Sequence, residues 1–446
     1  MQAEPLCAID RRGAPEQEPS VAFCTLGCKL NFAETSTLRR QFAARGFRLV
    51  EDEDPADVYV INTCAVTEAA ERECRKIIRR LLRQNPAAYV IVTGCYAQLR
   101  PEELAAIPGV DLVLGAAEKL RLFEYVRDFR KKPEPEIRVS CIDGLEEIAP
   151  AYSFGDRTRA FLKVQDGCDY RCAFCTIPKA RGPSRSLPLE SVLEQAWELA
   201  SQGVQEIVLS GVNVGDYGRK IGTSLLELLR QLERVPIPRY RISSIEPNLL
   251  TPEIVDFVAD SERFMPHFHI PLQSGSDRIL ARMRRRYRRR LYAERALYIK
   301  KRLPHAAIGA DVIVGFPGET EADFEATCAF LAELPVSYLH VFTYSERPGT
   351  PAAQMDGVVP APVRQERNRR LRLLAYEKRR AFYEEHAGSM RPVLFEATES
   401  AGQMSGFTDN YIRVRIPYAP ALINRIVPVR LGPPEEGDCV SGTLIK

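Results

Sequence analysis

Short apolar runs alternate with amphipathic stretches along most of this chain, and that rhythm restricts its fold more than any other feature. From Val21 the text reads VAFCTLG, DVYVINT, AYVIVTG and VDLVLG, each followed by a segment of helical periodicity such as EAAERECRKIIRRLLRQ. β-rich runs of four to seven residues followed by helical spacing are the mark of βα units and a parallel sheet. A second series begins at RAFLKVQDG and continues through QEIVLSG, YRISSIEP, HFHIPLQSG, AAIGADVIVGFPG and SYLHVFTYS. Six strands, each followed by a helix or loop, predict a full or partial β/α barrel with its working face at the C-terminal strand ends. Between the two series, RKKPEPEIR reads as a linker. A long helix is expected from Pro360 to Glu385, and after Gly388 short alternating strands suggest a small β-barrel. The fold class is therefore α/β with a terminal all-β module.

At 446 residues, two to four domains are expected. No apolar run reaches the roughly 20 residues of a membrane helix, and the polar, Pro-containing opening MQAEPLCAIDRRGAPEQEPS lacks a signal peptide's apolar stretch. The expectation is a soluble, cytoplasmic protein with no membrane partner and a frayed leader over residues 1–20. In such a compartment the 12 cysteines point to metals or catalysis rather than disulfides.

Two groups of cysteines stand out. DGCDYRCAFCTIP places Cys168, Cys172 and Cys175 in a CxxxCxxC array just after a predicted strand. Three thiolates in eight residues can hold three irons of a 4Fe-4S cubane and leave the fourth open. Zinc usually asks for a fourth Cys or His nearby; the next cysteine, Cys328, lies in an apolar helical run. Cys28 in TLGCKLN, Cys64 in VINTCAVT and Cys95 in VTGCYAQ each follow a predicted strand at its C-terminal end. Those ends line one edge of a parallel sheet, where ligands bind, so the three would converge into a second thiolate site. The alternative is three unrelated buried thiols. Cys7, Cys24, Cys74, Cys141, Cys328 and Cys439 are assigned no chemistry.

The array, with Phe174 before its last cysteine, resembles the radical S-adenosylmethionine superfamily. Together with LGCKLN, NTCAVT, TGCYAQ, GCDYRCAFCTIPKARG, IPLQSGSDRILARMRRRY and ADVIVGFPGET, it resembles the methylthiotransferase family from about Val21 onward. The resemblance implies a methylthiotransferase domain over residues 21–132 with an auxiliary 4Fe-4S cluster on Cys28, Cys64 and Cys95. It implies a radical core over 150–384, whose cluster on Cys168, Cys172 and Cys175 and bound S-adenosylmethionine generate a 5′-deoxyadenosyl radical. A TRAM-like RNA-binding barrel would occupy 386–446. All six cysteines would be catalytic, and Asn213, Glu246, Gln273 and Gly315, at predicted strand ends, would contact S-adenosylmethionine. Gly315 is equally explicable as a turn glycine. TLGCKLNFAET, HIPLQSGSDRIL and FTYSERPGTPAA look most like the branch that methylthiolates carbon 2 of N6-threonylcarbamoyladenosine beside the tRNA anticodon. Other branches act on isopentenyladenosine or on an aspartate of a ribosomal protein, and a non-enzymatic iron–sulfur or zinc RNA-binding protein is the reading of another class. The expected partners are a tRNA anticodon loop and an electron donor such as flavodoxin or ferredoxin.

Two features suit RNA without the family. Net charge is only +3, but RMRRRYRRR packs seven arginines into Arg282–Arg290. Tyr411, Arg413, Arg415 and Arg430 of the terminal barrel could bind phosphates or stack on bases. His267 and His269 flank a strand and are read as structural.

Overall fold

A computed structural model describes residues 18–155 and 158–445. The expected leader lies almost wholly outside the described residues, as does Cys7. The described chain falls into two compact units. One comprises residues up to Ser153 together with Asp166–Tyr170 and Cys175–Arg185, and the other Phe154–Gln165, Arg171–Phe174 and Ser186 onward.

The first unit is built on a parallel sheet of six strands: β1 (Ser20–Thr25), β2 (Arg48–Val50), β3 (Val58–Thr63), β4 (Tyr89–Gly94), β5 (Leu112–Leu114) and β6 (Glu136–Arg138), in the order β2-β1-β3-β4-β5-β6. The continuous apolar runs in β3 and β4 are explained by burial on both faces. One face packs Cys24, Tyr59, Ile61, Val90 and Val92 against Cys74, Ile78 and Leu81 of the helix Glu68–Gln84. The other packs Phe23, Val58, Val60 and Ile91 against Leu38 and Phe42 of the helix Lys29–Ala43. The stretch read as a linker instead supplies β6, which pairs with β5 through Leu112–Glu136 and Leu114–Arg138. Its charges suit an edge strand, where one side faces water, and Lys131 ties it back to Asp111 at 2.8 Å.

In the second unit the parallel strands are β7 (Ala160–Lys163), β10 (Glu206–Ser210), β11 (Arg239–Ile242), β12 (His267–His269), β13 (Ala307–Val314) and β14 (Tyr338–Thr343). The two-residue strands β8 (Gln165–Asp166) and β9 (Arg185–Ser186) lie at the unit borders. Strands β11-β10-β7 and β12-β13-β14 form two parallel sheets, joined by a bridge from Tyr240 to Phe264. β7 and β14 are not paired among the described residues, so the expected barrel is a partial one. The helix Ala361–Glu385 leads to a closed barrel in the order β15 (Met390–Ser400), β16 (Gln403–Thr408), β17 (Arg413–Pro417), β19 (Cys439–Leu444), β18 (Ile426–Glu435). Its core is Val393, Phe395, Val414, Ile416, Val429 and Val440. Buried arginines of the partial barrel hold it by its backbone: Arg239 donates to Pro392 O at 2.7 Å and Arg241 to Thr408 O at 2.7 Å. Glu206 offsets their charge, 2.8 Å from Arg241 Nε. Among the described residues no helix is long and apolar enough to cross a membrane.

Candidate active site

The sheet register of the first unit sets three cysteines side by side. Thr25 of β1 is opposite Asn62 of β3, and Thr63 is opposite Gly94 of β4. Cys64 and Cys95 follow directly on β3 and β4, and Cys28 caps the helix that starts at Lys29. Two glycines permit the approach. Gly94 has φ +103°, and a Cβ there would lie 2.4 Å from Thr63 O; a Cβ on Gly27 would lie 3.1 Å from Cys64 Sγ. Cys64 and Cys95 are buried while Cys28 is exposed, so the group is reached from one side. Burial and the neighbouring Cys95 and Cys28 thiols push Cys64 up to about 12. The proximity of the thiols thus disfavours three thiolates unless positive charge arrives. Three cysteine sulfurs are a donor set that an iron–sulfur cluster takes.

Positive charge is already built in beside them. Arg181 ends the short helix Ile177–Arg181 and is 2% exposed. Its guanidinium meets Glu34 at 3.1 Å, Asp166 at 3.0 Å and Asn31 Oδ1 at 2.6 Å, while Lys119 Nζ reaches Glu34 at 2.6 Å. Burial raises the Cys95 thiol, and Arg181, which bonds to it, and Lys119 pull in the opposite direction. Sequence reasoning missed all five residues. Asn31 and Glu34 stand three and six places after Cys28 on one helix, and Arg181 six after Cys175; that spacing was the available signal.

In the eight-residue array, each sulfur accepts a hydrogen bond. Cys168 and Cys175, of the first unit, accept from Tyr170 N and Ile177 N, both at 3.4 Å. Cys172, of the second, accepts from Arg285 Nη1 at 3.1 Å. Burial raises the Cys172 thiol and Arg285 opposes it. Such bonds to ligand sulfur are among the levers that set a cluster's potential.

The other expected cofactor contacts are of three kinds. Asn213 follows β10, is 4% exposed, and neither its Oδ1 nor its Nδ2 has a partner. Gln273 has φ +67°, and its buried Oε1 is likewise unpartnered. Buried polar groups in this state are costly and call for an explanation. Glu246 differs: it is ion-paired with Arg285, and so reaches Cys172 through that guanidinium. At Gly315 the φ of +73° and the Arg364 Cγ only 2.4 Å from a built Cβ account for the glycine without a cofactor.

The model described as uncharacterized protein family UPF0004 matches residues 20–115, and that of the radical SAM superfamily matches 162–331. The Bacillus subtilis (strain 168) protein named threonylcarbamoyladenosine tRNA methylthiotransferase MtaB is 42% identical, over 92% of this chain and 93% of its own. The Aquifex aeolicus protein of that name is 40% identical, over 89% and 96%. The chain belongs to the radical S-adenosylmethionine methylthiotransferase family. It is a transferase, and its superfamily implies S-adenosylmethionine and a 4Fe-4S cluster. Another relative, the tRNA-2-methylthio-N(6)-dimethylallyladenosine synthase of Symbiobacterium thermophilum, is 35% identical over 97% of this chain and 95% of its own. Among solved structures, the radical S-adenosylmethionine methyltransferase TsrM from Kitasatospora setae shares the fold, with TM-score 0.56 and 15% identity over 87% of this chain and 81% of that one.

In this methylthiotransferase the basic run is split rather than uniform. Arg285 is buried against Cys172, and Arg282 is turned toward Pro317 O and Asp356. Arg284, Arg286, Arg288, Arg289 and Arg290 are exposed. The helical and turn spacing that puts Met283 and Tyr287 inside carries Arg285 with them. The terminal barrel divides likewise. Tyr411 stacks on His267 at 4.2 Å and on Phe407 at 4.9 Å, so it packs within the unit, whereas Arg413 and Arg430 are exposed and Arg415 is half-buried.

Proposed function

We propose that this enzyme methylthiolates carbon 2 of N6-threonylcarbamoyladenosine next to the anticodon of a tRNA, using S-adenosylmethionine and two 4Fe-4S clusters. The reading rests chiefly on one observation: a second three-cysteine group at adjacent strand ends, flanked by Arg181 and Lys119, in a chain 42% identical to a relative named for that nucleoside. Cys168, Cys172 and Cys175 would hold one cluster and Cys28, Cys64 and Cys95 the other. When bound, the first cluster with S-adenosylmethionine supplies a carbon radical that takes hydrogen from an unactivated C–H bond.

The chain's own part is to hold and orient. Arg285 and Glu246 keep a fixed N–H on Cys172 Sγ, and Arg181 and Lys119 offset the charge that three thiolates bring to Cys95 and its neighbours. Asn213 and Gln273 carry the unpartnered buried atoms expected of groups reserved for a cofactor. The exposed arginines between Arg284 and Arg290, with Arg413 and Arg430 of the TRAM-like barrel, would neutralise RNA phosphates. A flavodoxin or ferredoxin would supply electrons, in the cytoplasm. The test is mass spectrometry of nucleosides after anaerobic incubation of reduced protein with S-adenosylmethionine and threonylcarbamoylated tRNA. The 2-methylthio derivative is expected; none from this tRNA, with product from dimethylallyl-bearing tRNA, would overturn the substrate reading.

A further inference from the structure

The turn that follows β13 at its C-terminal end is held by a residue from outside the barrel strands. It reads GFPGE, Gly315 to Glu319, and has positive φ at both glycines, +73° at Gly315 and +81° at Gly318. Within it Glu319 N donates to Phe316 O at 2.9 Å. Phe316 is fully buried and meets the Phe174 ring edge-on, with centroids 6.5 Å apart. Phe174 stands between Cys172 and Cys175, so the turn forms one wall against which the cysteine array rests.

A carboxylate closes the start of this turn: Glu319 Oε2 accepts from Gly315 N at 2.6 Å. The Glu319 side chain is only 2% exposed, and a charge in that setting needs a partner of opposite sign. Arg367, on the helix Ala361–Glu385, supplies it. Its Nη1 donates to Glu319 Oε2 at 2.8 Å and to Glu319 O at 3.1 Å, and its Nη2 to Glu321 Oε2 at 3.0 Å. The guanidinium lies over the buried Phe324 ring, 5.4 Å from its centroid. Arg364, three residues earlier on the same helix, lies against Gly315 and donates to Tyr344 O at 3.1 Å.

We infer that Arg367 is a positioning residue for S-adenosylmethionine: through the Glu319 carboxylate it fixes the turn after β13 against Phe174, and so sets the affinity of the cofactor seat. The inference rests on the reading that Cys168, Cys172 and Cys175 hold the cluster to which the cofactor binds. The C-terminal strand ends are the working face of such a barrel, and this turn is the part of that face that packs on the array. Without Arg367 the buried Glu319 charge is stranded and turns toward water or takes a proton. Gly315 N then loses its acceptor, and Phe316 is no longer held on Phe174. The cysteine sulfurs keep their own bonds from Tyr170 N, Ile177 N and Arg285, so the cluster should still load.

The test is the dissociation constant of radiolabelled S-adenosylmethionine, by equilibrium dialysis, with full-length cluster-loaded protein, alongside KM and kcat for 5′-deoxyadenosine formation and iron content. Arg367→Ala should weaken binding about tenfold or more, the effect of losing a bond between charged groups. KM should rise in parallel while kcat at saturating cofactor stays within about twofold, the pattern of lost uniform binding. Arg367→Lys keeps a cation within reach of Glu319 and should restore part of the affinity. In the paired variant Arg367→Ala/Glu319→Gln no buried carboxylate is stranded and the amide oxygen still accepts from Gly315 N. It should therefore bind more tightly than Arg367→Ala, and it covers the case in which the single variant fails to fold. Wild-type affinity in Arg367→Ala, or loss of iron and kcat together in both alanine-bearing variants, overturns the assignment and leaves the cofactor reading standing; no binding by wild type overturns the cofactor reading itself.

Discussion

The two cysteine groups reach similar surroundings by different routes. Cys168, Cys172 and Cys175 are neighbours because eight residues of chain make them so, and their sulfurs accept from Tyr170 N, Ile177 N and Arg285. Cys28, Cys64 and Cys95 are neighbours only because β1, β3 and β4 are adjacent in the sheet. In each group one sulfur bonds a buried guanidinium held by carboxylate, Arg285 by Glu246 and Arg181 by Glu34 and Asp166. The shared device suggests a shared need, since bringing several thiolates out of water requires compensating charge. The loop can be broken one residue at a time, whereas the strand-end group depends on the whole sheet.

The largest expected effects fall on the cysteines. Alanine at Cys168, Cys172 or Cys175 should abolish reductive cleavage of S-adenosylmethionine, measured as 5′-deoxyadenosine, whereas alanine at Cys28, Cys64 or Cys95 should leave part of it and eliminate methylthio product. Equal loss in both groups would erase the distinction between them. Next comes Arg181→Ala, which takes from buried Glu34 and Asp166 the cation they share, leaving Glu34 to Lys119 and Asp166 to the more distant Arg185 at 3.8 Å, and should cost about 3 kcal/mol in denaturant unfolding; a change below about 1 kcal/mol would show that the charge network is dispensable. Gly94→Ala adds a Cβ against Thr63 O at positive φ, and about 1–3 kcal/mol is expected from melting curves together with reduced iron at the strand-end group only. The smallest effect belongs to exposed Cys141, where serine should alter stability by less than about 0.5 kcal/mol and leave iron content alone.

Much of this architecture was legible because period and length speak directly to βα units: β3, β4, β10 and β13 coincide with the runs DVYVINT, AYVIVTG, QEIVLSG and AAIGADVIVG. Composition misled at RKKPEPEIR, since an edge strand tolerates the charge that a linker also shows. The placing of Cys28, Cys64 and Cys95 at strand ends could be read because parallel strands share a polarity. What could not be read was pairing across long sequence separations. Arg181 meets Glu34 from 147 residues away, and Arg285 leaves a surface-looking basic run to bond Cys172, 113 residues distant. Tyr411 was expected to be open to RNA, yet its place against His267 depends on how the terminal barrel is anchored by Arg239 and Arg241.

Iron and acid-labile sulfide analysis of anaerobically reconstituted protein tests most directly that the two cysteine groups are two separate metal sites. Wild type should bind about eight irons, and the triple alanine variants of either group about four, as two independent cubanes require. About four irons in wild type, or loss of all iron from either triple variant, would contradict the account.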